Sequence, residues 1–392
     1  AKQIGVNNTD VVELSYRGRK VHAPVWILPG HPNNSVTVHL GYGRRRAGQL
    51  GTNTGFDAYS IRPSNSPNFG VGLQLSQTGD TFDIYSTQDH HTMELEGLGS
   101  MSRDRNLIRV SDVETYKENS HVIQEMWAEP DPKNDLYPND HAYDGPNAWG
   151  MVIDLDRCTG CQACVVACQA ENNIAINEEN RVLERRAKTW IRIERYWEGE
   201  FPNAKARFIP VLCQHCGNAP CETVCPVWAT YHNHEGLNVQ VYNRCIGTRF
   251  CANGCPYSVR YFNFWNPEWP EPLNNQLNPD VTVRTKGIIE KCTFCLQRIN
   301  RARVTSKTEG REIADGEVQP ACVQSCPTTA LVFGDLNDPS TTASRLAESE
   351  RRYTLLENFG TDPSVVYLKK VDPHAEIDHH DDHHAEPAGK HA

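Results

Sequence analysis

Cys158-Thr159-Gly160-Cys161-Gln162-Ala163-Cys164-Val165-Val166-Ala167-Cys168 is the stretch on which the reading of this chain turns. Three cysteines at two-residue intervals wrap one tight loop, and a fourth follows three residues on. Three further groups come after it: Cys213, Cys216, Cys221 and Cys225; Cys245, Cys251 and Cys255; and Cys292 and Cys295 with Cys322 and Cys326. Pro226, Pro256 and Pro327 directly follow the last cysteine of their groups. The four groups use all 15 cysteines, an odd number that disulfides within one chain cannot pair off.

This spacing suits iron–sulfur chemistry. Each thiolate of the tight loop reaches a different iron of a cubane, and the fourth, commonly followed by proline, ligates the other cluster of a pair. Zinc fingers use two short pairs across a spacer, which the first group fits badly. The third group departs from the pattern, because Thr248 stands where a cysteine would continue it. A hydroxyl does not ionise near neutral pH as a thiol does, so it is a poor iron ligand. Three thiolates and a vacant corner suit a three-iron, four-sulfide cluster; four irons with water or Thr248 on the last is the alternative. The expected content is three [4Fe–4S] clusters and one [3Fe–4S] cluster.

The pairing rule of two-cluster ferredoxins exchanges fourth cysteines between groups one and four, and between groups two and three. Cluster A then takes Cys158, Cys161, Cys164 and Cys326, and cluster B takes Cys292, Cys295, Cys322 and Cys168. Cluster C takes Cys213, Cys216, Cys221 and Cys255. The three-iron cluster takes Cys245, Cys251 and Cys225, with Thr248 over the vacant corner. His215, between Cys213 and Cys216, is expected to hydrogen-bond rather than to ligate, since four thiolates are already available. Arg249, Arg260 and Lys291 lie beside ligands, where a cation favours the reduced cluster; ion pairing with the acidic surface is the competing expectation.

Thirty-nine basic against 49 acidic residues give a net charge of −10, which argues against a phosphate-neutralising nucleic-acid binder. No apolar run approaches the roughly 18 residues of a membrane span. Nucleophile–base pairs, a P-loop and a GxGxxG fingerprint are all missing, so no catalytic residues are expected on this chain.

Residues 1–62 read as β, with alternation over 20–27 and 35–40. Two or three such strands cannot close a sheet, so the segment is expected to be the end of a larger barrel on a longer polypeptide. Residues 63–148 are polar and weakly periodic, a linker or partner-wrapping segment with one helix near 113–127. Residues 149–335 hold the cysteines, with strands at 150–155, 190–196, 207–212 and 237–242. Residues 336–392 form a C-terminal extension with a helical stretch at 344–358, a strand at 365–368 and a His/Asp-rich tail. That tail carries six of the chain's 16 histidines.

Residues 149–335 resemble the four-cluster iron–sulfur subunits of the DMSO-reductase superfamily, and more narrowly the B subunits of bacterial alternative complex III. The resemblance rests on Asp156-Arg157-Cys158-Thr159-Gly160-Cys161, Ala170-Glu171-Asn172-Asn173-Ile174, Cys245-Ile246-Gly247-Thr248-Arg249-Phe250-Cys251 and Cys255-Pro256-Tyr257. Residues 5–62 look like the closing barrel of a molybdopterin enzyme. The resemblance implies an α+β chain: a tandem ferredoxin-like four-cluster domain preceded by the end of a molybdopterin-dinucleotide-binding-like β-barrel, with no molybdenum of its own.

It also implies a role as an electron wire, taking electrons from quinol oxidised in a multi-span membrane subunit toward a multihaem c-type cytochrome. The three-iron cluster would stand nearest the membrane subunit. Clusters are built in the cytoplasm and haem c is attached outside it, so export in the folded state to the periplasmic face is expected. Two other readings stand beside this one. One is the electron-transfer subunit of a molybdopterin-dependent reductase or dehydrogenase; the other is a zinc-binding structural protein.

Overall fold

The computed structural model describes residues 1–87, 107–122, 145–198 and 204–373. The His/Asp-rich tail and much of the 63–148 segment lie outside the described residues. The chain divides into two compact units of mixed α and β structure.

The first unit is built on Ala1–Glu94 with Asn177–Ala187 and Trp197–Ala206. Its sheet has three antiparallel strands, β1 (Asp10–Tyr16), β2 (Arg19–Pro24) and β3 (Gln74–Thr81), in the order β2-β1-β3. Alternation places Val12 and Leu14 of β1 inward with Ala23 of β2, and Val21, Phe56, Ile61, Leu73 and Leu75 pack around them. The strand expected at 20–27 is therefore present in shortened form. The strand expected at 35–40 is not: Val36 and Leu40 are 44% exposed and pair with no strand. Its place is taken by Gln74–Thr81, which polarity had assigned to the linker. Most of that strand faces water, so composition alone carried no strand signal. The described residues contain no closed barrel.

The second unit carries every cysteine. Its main sheet runs in the order Leu331–Asp335, Trp149–Asp154, Val365–Leu368 and Arg352–Tyr353. Trp149–Asp154 pairs antiparallel with Leu331–Asp335 and parallel with Val365–Leu368. Met151, Ile153, Val365 and Tyr367 are fully buried in the cluster-side core. On the other face Val152 and Leu368 meet Ala347 of the helix Thr342–Ala347, so this sheet is covered on both sides.

The stretch after residue 335 thus supplies an inner strand of the cysteine-bearing unit. The helix expected over 344–358 is confined to Thr342–Ala347, capped by the Thr341 hydroxyl, which accepts from the Ser344 N–H at 3.2 Å. Arg352–Tyr353 beyond it is drawn into the sheet edge. The helix expected near 113–127 begins at Val113 under an Asp112 cap and ends at Glu118.

Candidate functional site

Each cysteine group sits on a loop that opens into a helix, from the four residues of Pro220–Thr223 to the 14 of Leu296–Glu309. After Cys158 the chain passes through left-handed backbone at Gly160 (φ 69°) and Gln162 (φ 63°) and enters the helix Ala163–Glu171. After Cys245 it does the same at Gly247 (φ 76°) and Arg249 (φ 61°) and enters Phe250–Asn253. Glycine is required at both first positions. A Cβ at Gly160 would stand 3.0 Å from the Phe208 ring, and one at Gly247 would stand 2.4 Å from the Gly287 carbonyl oxygen.

The other two loops match each other as well. His215 precedes Cys216 with φ 47°, and Phe294 precedes Cys295 with φ 53°. These two equivalent residues stack on one another, with centroids 3.9 Å apart at 22°. The prolines after Cys225 and Cys326 also open identical turns. Trp228 and Thr329 take φ 52°, and the N–H groups of Ala229 and Ala330 each donate to the preceding cysteine sulfur at 3.2 Å. The unit is internally two-fold, with the His215–Phe294 stack at the join.

The helices then bring distant cysteines together. Ala163–Glu171 packs on Ala321–Gln324, and Pro220–Thr223 packs on Phe250–Asn253. Cys164 lies in the field of Cys158, Cys326 and Cys161. Cys168 lies in that of Cys292, Cys295 and Cys322, and Cys216 in that of Cys213, Cys221 and Cys255. Cys251 feels Cys245 and Cys225, and these three thiols line one cavity together with Thr248, Ile246 and Arg249. The four groups follow one another in a row. Cys322 of the second set bears on Cys164 of the first, Cys292 bears on Cys213 of the third, and Arg260 faces both the third set and Cys251.

All fifteen thiols are free of disulfides, and most are buried. Burial, with the other thiolates of its set, pushes Cys164 up to about 12. Burial also pushes Cys221 and Cys292 up to about 12. Cys225 and Cys326 go the other way: burial raises them, but several backbone N–H donors outweigh it and hold them below the usual thiol value. Four thiolates buried together are unfavourable unless a cationic metal group binds them. Among the described residues no three Cys, His, Asp or Glu side chains converge on a single-ion position. Thiolates around a multi-iron cluster each bind a different metal, as four thiols from two loops and two helix ends can do. The thiol sets therefore fit iron–sulfur clusters.

The surroundings add donors that the spacing of cysteines did not reveal. Asn172 Nδ2 donates to the sulfurs of Cys168 (3.6 Å) and Cys295 (3.7 Å), and Asn238 Nδ2 donates to Cys221 (3.8 Å). Asn172 caps the end of the cysteine helix Ala163–Glu171 and so lies close to Cys168 in sequence; Asn238 arrives only through the Thr230–His232 and Asn238–Gln240 hairpin. His215 Nδ1 accepts the Asn238 N–H at 3.2 Å, so its proton is on Nε2. Burial first, then the charge of Lys291, hold this imidazole well below its ordinary pKa and so neutral. Lys291 is fully buried and donates to the Cys292 carbonyl at 2.7 Å. Arg249, by contrast, lies over Phe262 and Phe264, at 5.2 and 5.6 Å from the ring centroids. Around the three-thiol cavity Trp228, Ile246 and Phe250 are 57–69% exposed. Trp149 and Trp190, by contrast, are buried in the core.

Two family models, each described as a 4Fe-4S dicluster domain, match residues 153–229 and 204–268. Together they indicate iron–sulfur clusters, about four. The chain is 46% identical over 227 residues to the menaquinone reductase iron–sulfur cluster-binding subunit of Nitratidesulfovibrio vulgaris, covering 57% of this chain and 89% of that protein. It is 38% identical to the Hdr-like menaquinol oxidoreductase iron–sulfur subunit 1 of Archaeoglobus fulgidus, over 56% of this chain and 83% of that one. It is 34% identical to the arsenate respiratory reductase iron–sulfur subunit ArrB of a Shewanella species, over 56% and 95%.

Proposed function

This chain belongs to the family of iron–sulfur subunits that carry electrons in membrane-associated, molybdopterin-type reductases, and from that membership we propose that it is the electron wire of a quinol-oxidising complex of the alternative complex III kind. Electrons leave quinol in a multi-span membrane subunit, enter a [3Fe–4S] cluster, and pass through three [4Fe–4S] clusters toward c-type haem. The observation that carries this reading is the single row of four thiol sets, with the three-thiol set at one end.

The ligands are assigned as the crossed pairing expects. Cys158, Cys161, Cys164 and Cys326 hold cluster A; Cys292, Cys295, Cys322 and Cys168 hold B; Cys213, Cys216, Cys221 and Cys255 hold C. Cys245, Cys251 and Cys225 hold the three-iron cluster, and Thr248 faces its open corner. The thiol sets that share one field and the helix pairs beneath them support this assignment. Bound there, the clusters supply one-electron redox chemistry. The protein's own part is to fix the sulfurs, donate N–H groups to them and exclude water, all of which tune potential.

Trp228, Ile246 and Phe250 around the three-thiol cavity support contact with an apolar partner there, as a quinol-binding membrane subunit would provide. No helix among the described residues is long and apolar enough to cross a membrane, and the chain is assigned to the periplasmic face, held by its partners. The front unit is assigned as the end of a molybdopterin-type barrel without molybdenum.

The likeness to an arsenate respiratory reductase subunit favours a second reading, in which the wire ends at a molybdopterin subunit. Isolation of the complex in mild detergent separates the two. Copurified haem c, with cluster reduction on adding a quinol, supports the first. Stoichiometric molybdenum without haem c establishes the second.

A further inference from the structure

Arg260 is 6% exposed, yet its hydrogen-bonding frame is neutral. Nη1 donates to Gln240 Oε1 at 2.9 Å, and Nη2 donates to Thr230 Oγ1 at 2.7 Å and Asn238 Oδ1 at 2.6 Å. All three acceptors come from one hairpin, in which Thr230 pairs with Gln240 and His232 with Asn238. They are themselves buried, at 1%, 8% and 2% exposure. The hairpin thus holds a guanidinium at a fixed point without neutralising it. A buried guanidinium with no anion is strongly unfavourable. Of its acceptors, Asn238 also donates to the Cys221 sulfur at 3.8 Å, and Gln240 lines the cavity of Cys225, Cys245 and Cys251, so the anions it faces are the sulfurs of Cys213, Cys221 and Cys255 on one side and of Cys251 on the other.

We propose that Arg260 is a shared electrostatic anchor of the first two centres of the wire, raising the potentials of the three-thiol cluster and of cluster C together. This rests on the cluster assignment made above. A fixed positive charge between two centres favours the added electron on either one, and it screens the repulsion between them when both are reduced. Net charge and hydrogen bonds to sulfur are established levers of cluster potential. One cation acting on two neighbours raises both potentials together, so it favours electron entry at the three-thiol end without making the onward step to cluster C steeper. Arg249 is not equivalent, because it lies over phenylalanine rings at the surface. Nor is Lys291, which is tied to the Cys292 carbonyl.

The test is an EPR-monitored redox titration of the purified complex carrying Arg260→Gln or Arg260→Lys. Arg260→Gln should lower both potentials, each by the equivalent of about a tenfold loss in the one-electron reduction equilibrium, about 59 mV. The potentials of clusters A and B should stay in place. Arg260→Lys keeps the charge and should stay near wild type at both centres. The proposal is overturned if Arg260→Gln moves neither centre or only one, or if Arg260→Lys falls as far as Arg260→Gln. If Arg260→Gln loses iron, the lysine variant decides alone: wild-type potentials uphold the shared charge, and a fall in either rejects it. Wild-type complex without iron would instead sink the cluster assignment on which the idea depends.

Discussion

Thr248 occupies, in the second of two matching loops, the place that Cys161 occupies in the first. Both follow a glycine in left-handed backbone and precede a left-handed helix cap, Gln162 in one loop and Arg249 in the other. Both side chains are exposed. The backbone is therefore already shaped to present a fourth thiol, and only the side chain withholds it. Thr248→Cys is expected to convert this site to four irons, raising iron content from about 15 to about 16 per chain. The potential of the site should fall and quinol oxidation should slow, as the first step becomes uphill. Wild-type turnover in a variant that has gained the iron would show that electrons do not enter here.

Glu290 is fully buried between Lys188 Nζ at 2.6 Å and Arg284 Nε at 2.5 Å. Its neighbour Ile289 donates its N–H to the Cys245 sulfur at 3.4 Å, so the ion cluster backs directly onto the three-thiol set. Glu290→Gln leaves two buried cations without their anion and should cost about 3–5 kcal/mol. The midpoint for thermal bleaching of the cluster absorbance reports it. Adding Lys188→Met should recover part of the loss; no recovery would mean that the cost lies elsewhere.

Tyr367, fully buried on the inner strand, donates its hydroxyl to the Pro210 carbonyl at 2.8 Å and accepts from Gln214 Nε2 at 3.3 Å. It braces the strand that leads into Cys213. Tyr367→Phe should cost about 1–3 kcal/mol, because a buried acceptor and donor are left unpaired. Tyr367→Ala should cost about 3–5 kcal/mol through the cavity it opens. Chemical unfolding of both variants, followed by the same absorbance, gives the two values.

Trp228 and Phe250 supply a separate check on the partner. Charged replacements at both, Trp228→Glu with Phe250→Asp, should leave iron content unchanged and abolish copurification with the multi-span subunit. Retention of that subunit would place it on another face. Protease added to sealed, right-side-out spheroplasts should cut this chain. Protection there, with cleavage only in inverted vesicles, would place it on the cytoplasmic side and favour the molybdopterin reading.

Cysteine spacing is a local signal, so the tight loops and their grouping were legible directly, as were the inner strand at 365–368 and the strands leading to Cys158 and Cys213. Hydrophobic alternation failed where strands are wet or segments are short. Gln74–Thr81 is almost wholly exposed and reads as linker, whereas 35–40 alternates but pairs with nothing. The helix at 344–358 was overestimated because the sheet edge captures Arg352–Tyr353, a tertiary preference that local propensity does not contain. Asn238 and the neutral frame of Arg260 were invisible for the same reason: a hairpin brings them to the sulfurs from positions far along the chain.

The central claim, three [4Fe–4S] clusters and one [3Fe–4S] cluster on this chain, is tested most directly by iron analysis with EPR of the air-oxidised subunit. About 15 irons per chain, with a paramagnetic signal from the oxidised protein, is the result the account predicts. About 16 irons with no such signal, or a colourless protein carrying stoichiometric zinc, would contradict it.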